Sequence, residues 1–255
     1  GRPIGHTAVV SRDAIQDPKL HRARRTRLLE ALGDGLLLLP TAPETLRNGD
    51  VHHEYRPGSD FHYLTGYPEP EAVLAAWRTG RGRHRAVLFV RPRDPAREVW
   101  DGKRYGPALA QRLFGVDAAH PIADLWRVLA EVLPTQPRLF HRLGADPAWD
   151  QRLLQFFAAQ AKKHRRREPP AHPVIQDPLP VLAAQRLQKD QGEIDALRVA
   201  AAITASGHEV AMRAARPGRH EYEVQAALEA EFRRLGSPRN GYASIVASGA
   251  NACIP

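Results

Sequence analysis

Proline sets the first constraint on how this chain can fold. Between residues 168 and 180 it reads Glu168-Pro169-Pro170-Ala171-His172-Pro173-Val174-Ile175-Gln176-Asp177-Pro178-Leu179-Pro180. Each proline fixes φ and removes a backbone donor, so the stretch is expected to be neither helix nor central strand. A joint here divides the 255 residues into segments 1–172 and 173–255. One to two domains is also what the length allows.

Ahead of the joint, strand-like and helix-like segments alternate. Arg22 to Leu32 is an amphipathic helix candidate, and Leu36–Leu39, stopped by Pro40, is a short buried strand. Ala72 to Trp77 and Ala86 to Val90 read as strands joined across the turn Gly80-Arg81-Gly82. Ile122 to Leu133 predicts a helix ended by Pro134, and Arg138 to His141 a further strand. Asp146-Pro147 opens a long helix through Gln151, Leu154, Phe157 and Ala158. Such alternation predicts an α/β domain around a central sheet.

Past the joint the pattern changes. Asp190 with Glu193 three residues later has the form of a capping box. Ile194, Leu197, Ala201 and Ala205 give one apolar face to a helix that stops before Pro217-Gly218. A second helix begins near His220, with Val224, Leu228, Phe232 and Leu235 on one face and Glu223, Glu229 and Arg233 on the other, before Gly236. Tyr242 to Ala247 predicts a strand, and Ser248-Gly249-Ala250-Asn251 a tight turn. Backbone groups of such a strand, once buried, need a partner.

Charge invites a nucleic-acid reading, with a net charge of +9. Only five of the 37 basic residues are Lys, which points to a composition bias rather than a phosphate-binding stripe. The dense run Lys162-Lys163-His164-Arg165-Arg166-Arg167 is expected to be a solvated helix end favoured by the helix dipole. No window is long and apolar enough for a membrane span, and Gly1-Arg2-Pro3-Ile4-Gly5 lacks the apolar core of a signal peptide. A single cysteine, Cys253, excludes an internal disulfide and suits a reducing compartment, so a cytoplasmic location is expected.

The residues alone supply no complete catalytic constellation. His208-Glu209 and His220-Glu221 fail the His-Glu-x-x-His test, because Met212 and Val224 stand where the second histidine belongs. His52 and His53 are adjacent, and extended backbone points neighbours to opposite sides. There is no Gly-x-Ser-x-Gly elbow and no glycine-rich phosphate loop. Cys253 has no evident base and reads as a buried small residue.

Three stretches resemble a known family. Tyr55-Arg56-Pro57-Gly58-Ser59-Asp60-Phe61-His62-Tyr63-Leu64-Thr65-Gly66-Tyr67-Pro68-Glu69-Pro70-Glu71-Ala72-Val73-Leu74 resembles the signature of aminopeptidase P amino-terminal domains. Val90 to Asp94 and Glu98 to Arg104 look like the later strand and loop of that domain. Arg216 to Glu221 and Tyr242 to Asn251 resemble the first helices and strand of the pita-bread domain shared with prolidase and methionine aminopeptidase. The fold this implies is an amino-terminal α/β domain with a central mixed sheet over 1–172, then the beginning of an α+β pita-bread domain over 173–255.

The resemblance implies a reaction and a site. Xaa-Pro aminopeptidases hydrolytically release the first residue of peptides whose second residue is proline, using two manganese ions held by Asp, His and Glu. Those ligands are expected downstream of Pro255, so no catalytic or metal-binding residue is expected within the chain, which alone should be inactive. Two residues carry over as substrate-pocket candidates. Tyr242 matches an aromatic lining the pocket for the first residue, with core packing beside the strand as the alternative. Trp100 matches a tryptophan lent to a neighbouring subunit's site, which implies a homo-oligomer, with simple burial as the alternative. Phe61, Tyr63 and Tyr67 are expected in core and turn packing, and Glu69 and Glu71 in structural roles.

Other classes stay in play. A non-catalytic pita-bread relative would act as a binding module, and creatinase shares the architecture without a metal. A basic nucleic-acid binder would show steeply salt-dependent retention on DNA.

Overall fold

The computed structural model describes residues 17–163 and 174–253. They fall into two compact units, one running to Leu187 and the other starting at Gln188. In the first unit, helix α1 (Pro18–Leu32) starts at Asp17, whose side chain accepts from the Lys19 amide, and stops at Gly33. Strand β1 (Leu36–Pro40) follows, then an exposed two-stranded ribbon of β2 (Leu46–Asn48) and β3 (Val51–His52). Helix α2 (Ser59–Thr65) leads into the hairpin β4 (Val73–Gly80) and β5 (Arg83–Val90), turned at Arg81-Gly82 as the sequence predicts. Helices α3 (Pro95–Asp101) and α4 (Gly106–Leu113) precede strand β6 (Ala118–Pro121). Then come α5 (Leu125–Val132), β7 (Arg138–Phe140) and α6 (Pro147–Lys163).

A mixed sheet of order β6-β5-β4-β1-β7-β8 organises the unit. The pairs β1–β4 and β4–β5 are antiparallel, whereas β1–β7, β5–β6 and β7–β8 are parallel. Successive side chains on a strand point to opposite faces, and the core divides accordingly. Leu37, Leu74, Ala76, Leu88 and Val90 pack with Leu28 and Leu29 of α1, Phe61 and Leu64 of α2, and Ala110 of α4. Leu36, Leu38, Val73, Val87 and Phe89 pack with Leu125 and Leu129 of α5 and Leu153 and Phe156 of α6. Burying each large apolar side chain contributes about 1.5–3 kcal/mol. Both faces being covered explains why the strands read as continuous apolar runs.

The proline-rich joint is more ordered than its composition predicts. Strand β8 (Val174–Gln176) extends the sheet edge, and α7 (Leu179–Leu187) starts just after Pro178 with Pro180 in its first turn. An edge position and a first helical turn are the two places where proline's missing donor costs least. Leu182 enters the core, the Gln185 amide donates to the Arg24 carbonyl, and Arg186 pairs with Asp60. Residues 174–187 therefore lie with the first unit, on the far side of the expected 172/173 joint.

The diagnostic stretch around α2 is a packing device. Basic residues of α1 reach the carbonyls at the C-terminal end of α2, where the helix dipole favours positive charge. His21 Nδ1 lies 2.9 Å from the Tyr63 carbonyl, Arg24 donates to the same oxygen at 3.2 Å, and Arg25 donates to the Leu64 carbonyl at 2.7 Å. Arg24 also lies over the Tyr63 ring, 4.3 Å from its centroid. Burial pushes the His21 pKa down to about 4, so the neutral imidazole donates from Nδ1. Gly66 closes α2 at φ 69°, and a Cβ there would stand 2.5 Å from His21 Nε2, so only glycine fits. Tyr67 is buried, and its hydroxyl donates to Glu69, which also accepts from the Tyr105 amide. Phe61, Tyr63 and Tyr67 thus pack in the core as expected.

The second unit pairs α8 (Gln191–Ala214) with α9 (Glu221–Arg234). The Asp190–Glu193 capping box forms, each side chain accepting from the other residue's amide at 3.0 Å. The face of α8 that packs differs from the expected one. Ile203 and Gly207 are its buried residues, whereas Leu197 is 58% exposed. A Cβ on Gly207 would stand 2.3 Å from the Phe232 ring and 3.0 Å from Leu228, so the missing side chain lets the helices meet. Ser206 of α8 donates to Glu231 of α9 at 2.6 Å, and Arg234 with Ser206 holds that carboxyl down at about 2. The expected strand over residues 242–247 does not form among the described residues. Residues 249–253 make the expected tight turn as a short 3-10 helix, with the Asn251 amide donating to the Ser248 carbonyl.

Candidate functional site

The two pocket candidates lie in different units, and each is described in its own. Trp100 sits on α3, a helix fixed at both ends. Asp94 accepts from the Arg97 amide, Pro95 begins the helix, and Gly102 ends it at φ 86°. Arg93 grips Glu98 through two hydrogen bonds of 3.0 and 2.7 Å, which pulls the Glu98 carboxyl down to about 2. On this anchored turn Trp100 is 87% exposed and Val99 beside it 78%. Simple burial within the unit does not account for Trp100. An indole on a fixed backbone, left in water, is a side chain suited to anchoring a contact.

Tyr242 is 80% exposed, so core packing does not account for it either. Its flanking residues are held by side chains. Arg233 donates to Asn240 Oδ1 at 3.0 Å and Asn240 donates to Ser244 Oγ at 3.1 Å. Glu229 accepts from Gln225 at 2.9 Å and is also bonded to Ser244 and Asn240. Asn240 and Ser244, on either side of Tyr242, are thereby fastened to α9. Sequence reasoning passed over this fastening; the signal available was the four-residue spacing of Glu221, Gln225, Glu229 and Arg233.

The remaining candidates separate. His208 turns Nδ1 to the Thr204 carbonyl of its own helix at 2.8 Å, and Glu209 pairs with Arg213. His220 stacks on Tyr222, ring centroids 5.3 Å apart. His52 and His53 are exposed on the β3 ribbon, and Cys253 is exposed rather than buried as its composition class suggested. Lys162 and Lys163 are exposed in the last turn of α6, while residues 164–167 of the basic run lie outside the described residues. Among the described residues, no three His, Cys, Asp or Glu side chains come together to hold a metal ion. They do not fit a divalent-metal centre. No helix among them is long and apolar enough to cross a membrane.

Comparison with known proteins gives this geometry its setting. A family profile described as "Aminopeptidase P, N-terminal domain" matches residues 21–140, and one described as "Metallopeptidase family M24" matches residues 195–255. The chain is 36% identical over 232 residues to the Xaa-Pro aminopeptidase of Escherichia coli strain K12, covering 91% of this chain and 52% of that protein. An aminopeptidase structure from Pseudomonas aeruginosa matches with TM-score 0.84 and 43% identity, over 94% of this chain and 54% of that one. A zinc-substituted E. coli aminopeptidase P in complex with product matches with TM-score 0.88 and 34% identity, again over 94% and 54%. The chain thus spans about half the length of the relatives it matches. A mixed-sheet α/β unit followed by an M24 segment defines the class, the M24 metallopeptidases with an aminopeptidase P amino-terminal domain. Within that class, the chain belongs to the aminopeptidase P family.

Proposed function

We propose that this polypeptide serves an Xaa-Pro aminopeptidase, which hydrolytically releases an N-terminal residue preceding proline. The observation that carries the reading is the 36% identity, running through both units, to an enzyme of that name. Family resemblance implies two manganese ions, and zinc occupies one matched relative by its description. Paired divalent ions supply hydroxide near neutral pH. The described residues offer no cluster to hold them, so no step of bond cleavage is assigned to this chain, and the 255 residues by themselves are proposed to be inactive. What the chain contributes is recognition. Tyr242 presents its ring toward the substrate's first residue. Trp100 anchors a contact with a second copy, consistent with a homo-oligomer. The lone, exposed Cys253 suits a reducing, cytoplasmic setting.

The test is a chimera in which residues 1–255 are joined to the remaining half of the E. coli relative. With manganese added, it is expected to cleave Gly-Pro-type peptides and to spare their Gly-Ala counterparts. Tyr242→Ala should raise KM about tenfold, the loss of one well-placed aromatic contact. Equal cleavage of both peptides, or cleavage by residues 1–255 alone, would overturn the proposal.

A further inference from the structure

We infer that Glu221 and Glu229 are positioning residues on a polar stripe along α9 that fastens the returning segment 240–251, Glu229 fixing where Tyr242 stands and Glu221 fixing the turn that follows it. The inference rests on the reading of Tyr242 as a pocket residue. Its structural basis is independent of that reading.

Four polar residues recur every fourth position on α9, at Glu221, Gln225, Glu229 and Arg233, and so share one face. The segment that follows the helix carries Asn240, Ser244 and Ser248 at the same spacing. It runs back along the helix. Asn240 meets Arg233 and Glu229, Ser244 meets Glu229, and Ser248 meets Glu221. The two ladders match in length. Eight helical residues from Glu221 to Glu229 rise about 12 Å, within the roughly 13 Å that the four residues from Ser244 to Ser248 can reach at most.

Glu221 ends the ladder with one oxygen accepting three bonds. Oε1 receives the Ser248 amide at 2.7 Å, the Ser248 hydroxyl at 3.2 Å and the Asn251 amide group at 3.0 Å. Asn251 and Ser248 hold its carboxyl below the ordinary glutamate range. The segment has no sheet partner among the described residues and exposes both Tyr242 and Ile245. Its conformation therefore depends on these side-chain bonds rather than on a ladder or a core. The groups facing Glu221 from the segment, Ser248 and Asn251, are neutral. The charged or titratable groups at its end of α9 are His220 and the Arg219–Glu223 pair.

A nitroxide label tests the positioning. In a Cys253→Ser background, Ala243→Cys and Ala250→Cys each give one attachment site, beside Tyr242 and within the clamped turn. Glu229→Ala should shorten the label's correlation time at 243 by about twofold and leave 250 unchanged, and Glu221→Ala should do the reverse. Helix content by circular dichroism should stay the same. Ser248→Ala with Asn251→Ala leaves α9 untouched and should reproduce the effect of Glu221→Ala at 250, which decides the matter even where Glu221→Ala disturbs the helix. Acid should loosen the 250 label in the parent chain as the Glu221 carboxylate is neutralised. Glu221→Gln, neutral at every pH, should match the mobility of the parent in acid and be indifferent to pH. Equal mobility at 243 in the parent and Glu229→Ala, or equal mobility at 250 in the parent, Glu221→Ala and the Ser248/Asn251 pair, would overturn the inference. No peptide hydrolysis enters these readings, so the clamp and the peptidase reading stand or fall separately.

Discussion

The two units differ in how completely their apolar residues are closed off. In the first, both faces of a six-stranded sheet are roofed by helices, and Leu36, Leu37, Leu64, Leu74, Leu88, Phe89 and Phe140 are withdrawn entirely from water. In the second, the apolar residues best hidden are Ile203 and Leu228, each with 9% of its surface still exposed. Leu197, Met212, Tyr222, Tyr242 and Ile245 lie largely in solvent. Polar devices compensate in part: the Asp190 capping box, the Ser206–Glu231–Arg234 link and the α9 stripe. Each contributes about 1 kcal/mol against the several that a buried leucine protects. The lesson is that local signals and one helix–helix seam form α8 and α9 without the closed, two-faced core that the first unit has.

Substitutions sharpen this contrast. Leu88→Ala, in the centre of β5, should destabilise the first unit by about 3 kcal/mol, read as a lowered denaturant midpoint. Acid should act next most strongly, and on the same unit. His21 is neutral when folded, with its pKa lowered to about 4 by burial, against about 6.5 unfolded. The unfolded chain thus takes up a proton that the folded one refuses. Stability is full above pH 6.5 and falls as the pH drops towards 4, by on the order of 2 kcal/mol. His84, lowered by burial to about 4, adds in the same direction. Chemical denaturation at pH 7 and pH 4.5 should show the loss, and His21→Gln should reduce it. The smallest effect belongs to the second unit: Leu197→Ala, on an exposed face, should shift stability by less than about 0.5 kcal/mol. A large loss there would mean that the face is covered and would break the comparison.

Much of the first unit was legible in the sequence because its signals are local. The β4–β5 hairpin follows from two apolar runs around Gly80-Arg81-Gly82, and β1 from four leucines before Pro40. Strand β8 was not, because three residues among prolines become a strand only when β7 is there to pair. The packed face of α8 was misread because its central residue, Gly207, acts by having no side chain and adds nothing to an apolar count. Residues 242–247 carry strand-forming residue types, yet a strand is a pairing, and no partner is found among the described residues. Trp100 and Tyr242 stood out by family resemblance alone; their exposure could not be read from composition.

Native-state hydrogen exchange across the whole chain measures the difference in closure most directly. Amides of β1, β4 and β5 should exchange only through global unfolding of their unit, and those of α8 and α9 at least about a hundredfold faster, through local opening. If the helices of the second unit were protected as strongly as the central strands, the contrast between a closed and an open unit would be contradicted.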